Sequence, residues 1–78
     1  MKRRYFDRYE IGFDITSTEP AEVVTESITF DDALDHARSL ANSTKTRAVY
    51  IFDRLASWRQ VQCWHVIDGK AHPISVRD

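Results

Sequence analysis

The stretch Thr29-Phe30-Asp31-Asp32-Ala33-Leu34-Asp35-His36-Ala37-Arg38-Ser39-Leu40-Ala41-Asn42 decides how the chain folds. Its apolar residues, Phe30, Ala33, Leu34, Ala37, Leu40 and Ala41, are spaced as one face of a 3.6-residue helix, with Asp32, Asp35, His36, Arg38 and Ser39 on the other. The Thr29 hydroxyl is placed to accept the backbone N–H three residues on, and Asp31 and Asp32 fall in the positive first turn. Asn42-Ser43-Thr44 is turn chemistry, and Asn42 in the left-handed conformation would close the helix.

On both sides of the helix the period changes to 2. Tyr5, Tyr9, Ile11, Phe13 and Ile15 alternate with Arg8, Glu10, Gly12 and Asp14, as in a strand with one wet face. After the helix, residues 47–54 and 60–67 are rich in β-branched and aromatic side chains and predict two strands joined through Leu55-Ala56-Ser57-Trp58-Arg59. Asp68-Gly69 predicts a tight turn into a last strand over residues 70–76, which Pro73 restricts to an edge. Residues 22–28 resist a regular reading: Glu22, Val24, Glu26 and Ile28 would share one strand face, so a weak edge strand or an irregular loop entered through Pro20 is expected. The expected fold is α+β, an antiparallel sheet of four to five strands with one α-helix packed on one face, and residues 1–78 form one domain.

Composition agrees with a small folded domain. Of 78 residues 42% are hydrophobic and 12% aromatic, and 11 Lys and Arg face 12 Asp and Glu, which is the opposite of a disordered chain's profile. The longest run without Asp, Glu, Lys or Arg is Gln60 to Ile67, far short of the roughly 18 residues that a spanning helix needs, so no membrane partner is expected. Met1-Lys2-Arg3-Arg4 starts like a signal peptide, but no apolar core follows it. With Cys63 as the sole cysteine, a cytoplasmic protein is the expectation.

Charge and apolar surface supply the functional expectations. Between residues 10 and 37 lie Glu10, Asp14, Glu19, Glu22, Glu26, Asp31, Asp32 and Asp35 with no Lys or Arg, while residues 1–9 and 38–78 are net basic. Asp31, Asp32 and Asp35 suit a helix N-terminus. Together Glu10, Asp14, Glu19, Glu22, Glu26, Asp32 and Asp35 could form a negative surface for a basic protein partner, against the plainer reading that the chain's own arginines neutralise them. A helix of about 13 residues, roughly 20 Å long, shields one sheet face only. Assigning it Val49, Ile51, Val61, Cys63 and Ile67 leaves Tyr50, Phe52 and Trp64, with Trp58 nearby, as an aromatic patch for a partner or a homodimer. Single-stranded nucleic acid ranks last: Arg47, Arg54 and Arg59 interleave with aromatics, but the glycine-flanked aromatic motif of the RNA-recognition sheet is missing and the pI is about 6.3.

Residues for chemistry are few. Cys63 and His65 share a strand face, with His72 across the last turn, which is too few ligands for zinc. Cys63 in an apolar strand reads as a core residue, and His36 reads as a solvated one. Gly12 and Gly69 are isolated, so there is no phosphate loop. Neither catalysis nor a cofactor or metal is expected.

In size, charge segregation and architecture, though in no specific motif, the chain resembles the small proteins with which phages block bacterial machinery, notably anti-CRISPR proteins. That resemblance implies an inhibitor that binds a nucleic-acid-handling complex through an acidic or aromatic surface.

Overall fold

A computed structural model describes residues 7–16, 19–44, 46–57 and 59–74, with the side chains of residues 15, 16, 19 and 20 left aside. In chain order the elements are β1 (Tyr9–Thr16), β2 (Glu19–Ser27), α1 (Phe30–Ser43), β3 (Val49–Asp53), β4 (Cys63–Ile67) and β5 (Lys70–Ile74). The strands form one antiparallel sheet in the order β2-β1-β3-β4-β5, and α1 crosses one face of it. This is the α+β architecture that the sequence predicts.

Helix α1 begins as its sequence requires. Thr29 is extended (φ −113°, ψ 157°) and its Oγ1 accepts the Asp32 N–H at 3.2 Å. The end differs from expectation: Asn42 is still helical, and the closing residue is Thr44 in extended conformation, its N–H donating to the Leu40 carbonyl at 3.1 Å. Ser43 Oγ adds bonds to the Ser39 and Leu40 carbonyls, so side-chain and backbone donors satisfy carbonyls of the last turn.

The buried face of α1 is small. Ala33 and Ala37 are completely buried against Ile11, Val49, Ile51 and Val66, and Leu34, Leu40 and Ala41 pack around them. Methyl-sized side chains let the helix axis lie close to the sheet, so the strand residues fill the interface.

Strand β2 exists, and its irregularity is a bulge. The register runs Ile11 to Thr25 and then Gly12 to Val23, so Val24 is an extra residue with no partner of its own on β1. One extra residue reverses side-chain parity. Glu22 and Glu26, which would share a face in a regular strand, therefore lie on opposite sides, and Val23, Val24 and Ile28 remain exposed at 41%, 46% and 50%.

The pairing of β3 with β4 corrects the expected faces. Ile51 pairs with Trp64 and Val49 with Val66, so Trp64 lies on the helix side, not in an open aromatic patch. Cys63, His65 and Ile67 share the other face with Tyr50 and Phe52. Val61 lies in the loop before β4, not under the helix. Both strands are shorter than expected, and the connection runs from Arg54 to Gln62, longer than the predicted five residues.

Asp68 (φ 53°) and Gly69 (φ 76°) form the tight β4-β5 turn. Ile67 and Lys70 flank it as the first pair of the ladder. Alternation then points the Pro73 nitrogen away from β4, where no ladder bond is lost. The chain's two prolines thus lie one on each edge strand, Pro20 in β2 and Pro73 in β5. Among the described residues no helix is long and apolar enough to cross a membrane.

Candidate functional site

Much of the acidic block is held by arginines from elsewhere in the chain. Arg47 Nη2 donates to Asp14 Oδ2 at 3.0 Å and to Glu22 Oε1 at 2.9 Å, and its guanidinium lies 4.1 Å from the centre of the Phe13 ring. The bulge makes this possible by turning Glu22 toward the side on which Phe13 lies. The hydrogen bonds it donates, to Asp14 first and then to Glu22, hold Arg47 more firmly protonated than an ordinary arginine. Asp35 lies 3.6 Å from Arg38 one turn along the helix, and Arg38 Nε also donates to the Gly69 carbonyl at 2.8 Å. Glu10, only 5% exposed, pairs in register with Glu26, and both make further polar contacts.

Another acidic group lines a cleft at the start of α1. Asp7, Glu26, Ser27, Ile28, Asp32 and His36 line about 300 Å³, and no Lys or Arg is among these described lining residues. The backbone places them: Arg8 N–H donates to the Ser27 carbonyl at 3.1 Å, tying the approach to β1 onto the end of β2, and the Thr29 cap starts α1 beside that junction. Ser27 is 6% exposed, and among the described residues its Oγ is a buried hydroxyl without a hydrogen-bond partner. Of the expected acidic residues the fold brings Glu26 and Asp32 together here and diverts Asp14, Glu22 and Asp35. The Glu19 side chain and Trp58 lie outside what is described.

An aromatic pocket of about 310 Å³ is lined by Tyr9, Phe30, Trp64, Val61 and the Arg8 and Asp53 pair. Phe30 and Trp64 have ring centres 4.8 Å apart at 59°, Tyr9 and Phe30 meet edge-on at 5.7 Å and 75°, and Tyr9 and Trp64 are 6.5 Å apart. Asp53, 3% exposed, accepts Arg8 Nε at 2.7 Å, Arg8 Nη2 at 2.9 Å and the Leu55 N–H at 3.0 Å. The fork of Arg8 closes on this carboxylate, and that bond raises the Arg8 pKa above its ordinary value.

The open sheet face carries a different set. Tyr50 stacks on His65 with ring centres 4.7 Å apart at 17°, and His65 pairs with His72. Phe52 and Cys63 are only 7% and 0% exposed although, among the described residues, no helix lies over them. Burial pushes the Cys63 thiol up to about 11, so it stays protonated at neutral pH, a poor state for a nucleophile. Among the described residues no three His, Cys, Asp or Glu side chains converge as a metal site.

A third cavity, about 640 Å³, lies at the far end of α1 between Arg38, Thr44, Arg47 and the β4-β5 turn. Its arginines are the ones already engaged with Gly69, Asp35, Asp14 and Glu22.

Sequence reasoning missed Asp7, Tyr9 and Phe30 as site residues. Asp7 lies in a basic segment, and Tyr9 and Phe30 have the spacing of ordinary core positions. Only pairing of β1 with β2 beside the helix start reveals them. Comparison with protein-family models, with curated proteins and with solved structures finds no match to this chain.

Proposed function

We propose that the chain is a non-enzymatic protein-interaction domain that docks against a basic surface of its partner through the cleft at the start of α1. The observation that carries this reading is the acidic lining of that cleft: Asp7, Glu26 and Asp32 line it, with no arginine or lysine among the described lining residues. An acidic patch steers basic partners and rejects acidic ones. The resemblance to phage-type inhibitors such as anti-CRISPR proteins makes a bacterial nucleic-acid-binding complex in the cytoplasm the first partner class to test. The aromatic patch offered for a homodimer is smaller than expected, since Trp64 does not share a face with Tyr50 and Phe52.

The test is retention of bacterial lysate proteins on immobilised domain, compared with a variant carrying Asp7→Asn, Glu26→Gln and Asp32→Asn. Three surface pairs at about 0.7 kcal/mol each amount to roughly 2 kcal/mol, about thirtyfold in affinity. Proteins held at low salt by the wild type, released at high salt and absent from the variant column are the expected result. Equal retention on both columns overturns the reading.

A further inference from the structure

Two of the chain's three histidines stand side by side on the open sheet face. His65 of β4 and His72 of β5 are partners in the antiparallel ladder, so their side chains leave the same face from adjacent positions, with Cβ atoms about 5 Å apart. His65 is half-buried, and His72 is exposed on the edge strand. Among the described residues neither imidazole makes a hydrogen bond, so the ring nitrogens are uncommitted. We propose that this pair is a two-imidazole chelate for Cu2+, with water completing the coordination.

The choice of ion follows from the donors. Imidazole nitrogen is a ligand of borderline transition-metal ions, and two nitrogens with water oxygens make a tetragonal set that suits Cu2+ first and Ni2+ after it. A closed zinc site takes four protein ligands, which the pair does not supply. Metal–nitrogen bonds of about 2 Å set adjacent corners of a square roughly 3 Å apart, and two rings that lean together from Cβ atoms about 5 Å apart reach that spacing. Tyr50 prepares one of them. It stacks on His65 with ring centres 4.7 Å apart at 17°, a contact that covers a ring face, whereas the nitrogen lone pairs lie in the ring plane. The stack limits rotation of the imidazole without occupying its ligand atoms, so less side-chain entropy is lost on binding. Cys63, on the same face, is 0% exposed and stays out of the set. A bound ion would clip the edge strand β5 to β4 through side chains, beyond the turn that joins them through the backbone.

The untagged full chain is titrated with Cu2+ in a non-coordinating buffer and followed by calorimetry and by paramagnetic broadening of the amide NMR signals. Broadening should be strongest at Tyr50, His65, Ala71 and His72. The wild type is expected to bind at least about tenfold more tightly than His65→Ala or His72→Ala, which is about 1.4 kcal/mol. His72 is exposed at the sheet edge, so His72→Ala should keep the wild-type amide spectrum away from its neighbours, and the comparison then reads metal binding and not folding. His36→Ala removes the remaining histidine, on α1, and should leave the affinity unchanged. Ni2+ should bind at the same residues more weakly, and Mg2+ and Ca2+, which take oxygen ligands, should not bind there. Less than a tenfold loss in His72→Ala, an equal loss in His36→Ala, or broadening centred away from the pair overturns the proposal.

Discussion

Replacing Ile51 by Val removes one methylene from the centre of the sheet. Ile51 is 0% exposed, is paired with Ile11 on one side and Trp64 on the other, and is clustered with Ala33 and Ala37 of the helix. Losing the methylene costs about 0.8 kcal/mol in transfer free energy, and incomplete collapse around it adds roughly 0.4, near 1.2 kcal/mol in all. A chain of this length has a total stability on the order of 4 to 12 kcal/mol, so this loss is readily measured. The melting temperature should fall by about 5 to 10 °C, and the urea midpoint by roughly 1 M with an unchanged slope. Ile67→Val is the matched control. Ile67 is 43% exposed on the opposite face, and the same truncation there should cost less than about 0.5 kcal/mol. Equal losses at the two positions, or a larger one at Ile67, would refute the pairing of Ile51 with Trp64, because a one-residue slip of β4 would put Ile67 under the helix.

Thr29→Ala removes the acceptor of the Asp32 N–H and should lower stability by about 1 kcal/mol in urea unfolding, with early exchange of the first-turn amides. Gly69→Ala should cost about 1 to 2 kcal/mol through the backbone alone: φ is +76°, whereas a Cβ there meets nothing closer than Arg38 Nε at 3.7 Å. The raised Cys63 pKa carries a sign. The unfolded thiol releases its proton first, so stability should fall as pH rises from about 9 toward 11, by up to about 1.4 kcal/mol per unit, and a Cys63→Ala variant should lack that component. In the folded protein the same thiol should react with a disulfide reagent no faster than the chain opens.

Local chemistry made the helix and the last turn legible. The Thr29 cap, the spacing of Ala33, Leu34 and Ala37, and the Asp68-Gly69 pair are all read within a few residues. Parity inside β3 was also legible: Val49 and Ile51 do face the helix, and Tyr50 and Phe52 do not. What could not be read was the register between strands, because the loop from Arg54 to Gln62 is long enough to allow either parity, and one slip moves Trp64 from one face to the other. The bulge left a trace in the conflict among Glu22, Val24, Glu26 and Ile28, but a conflict in pattern does not say which residue is the extra one. The candidate site was half visible for the same reason. Glu26 and Asp32 belong to the acidic block, whereas Asp7 joins them only through the pairing of distant segments. The arginines that hold Asp14, Glu22 and Asp53 act over separations of 25 to 45 residues.

The placement of one proline on each edge of the sheet bears on how the molecule behaves in a crowd. An exposed strand edge is a template on which other chains can polymerise, and each proline interrupts the row of donors that such growth needs. A domain blunted in this way can accumulate to high concentration without stacking into ribbons, and contact with other molecules is left to its side-chain surfaces. Pro73→Thr would restore a donor at the outer edge of β5. Light scattering of concentrated samples should then show larger assemblies, while the wild type stays at constant size.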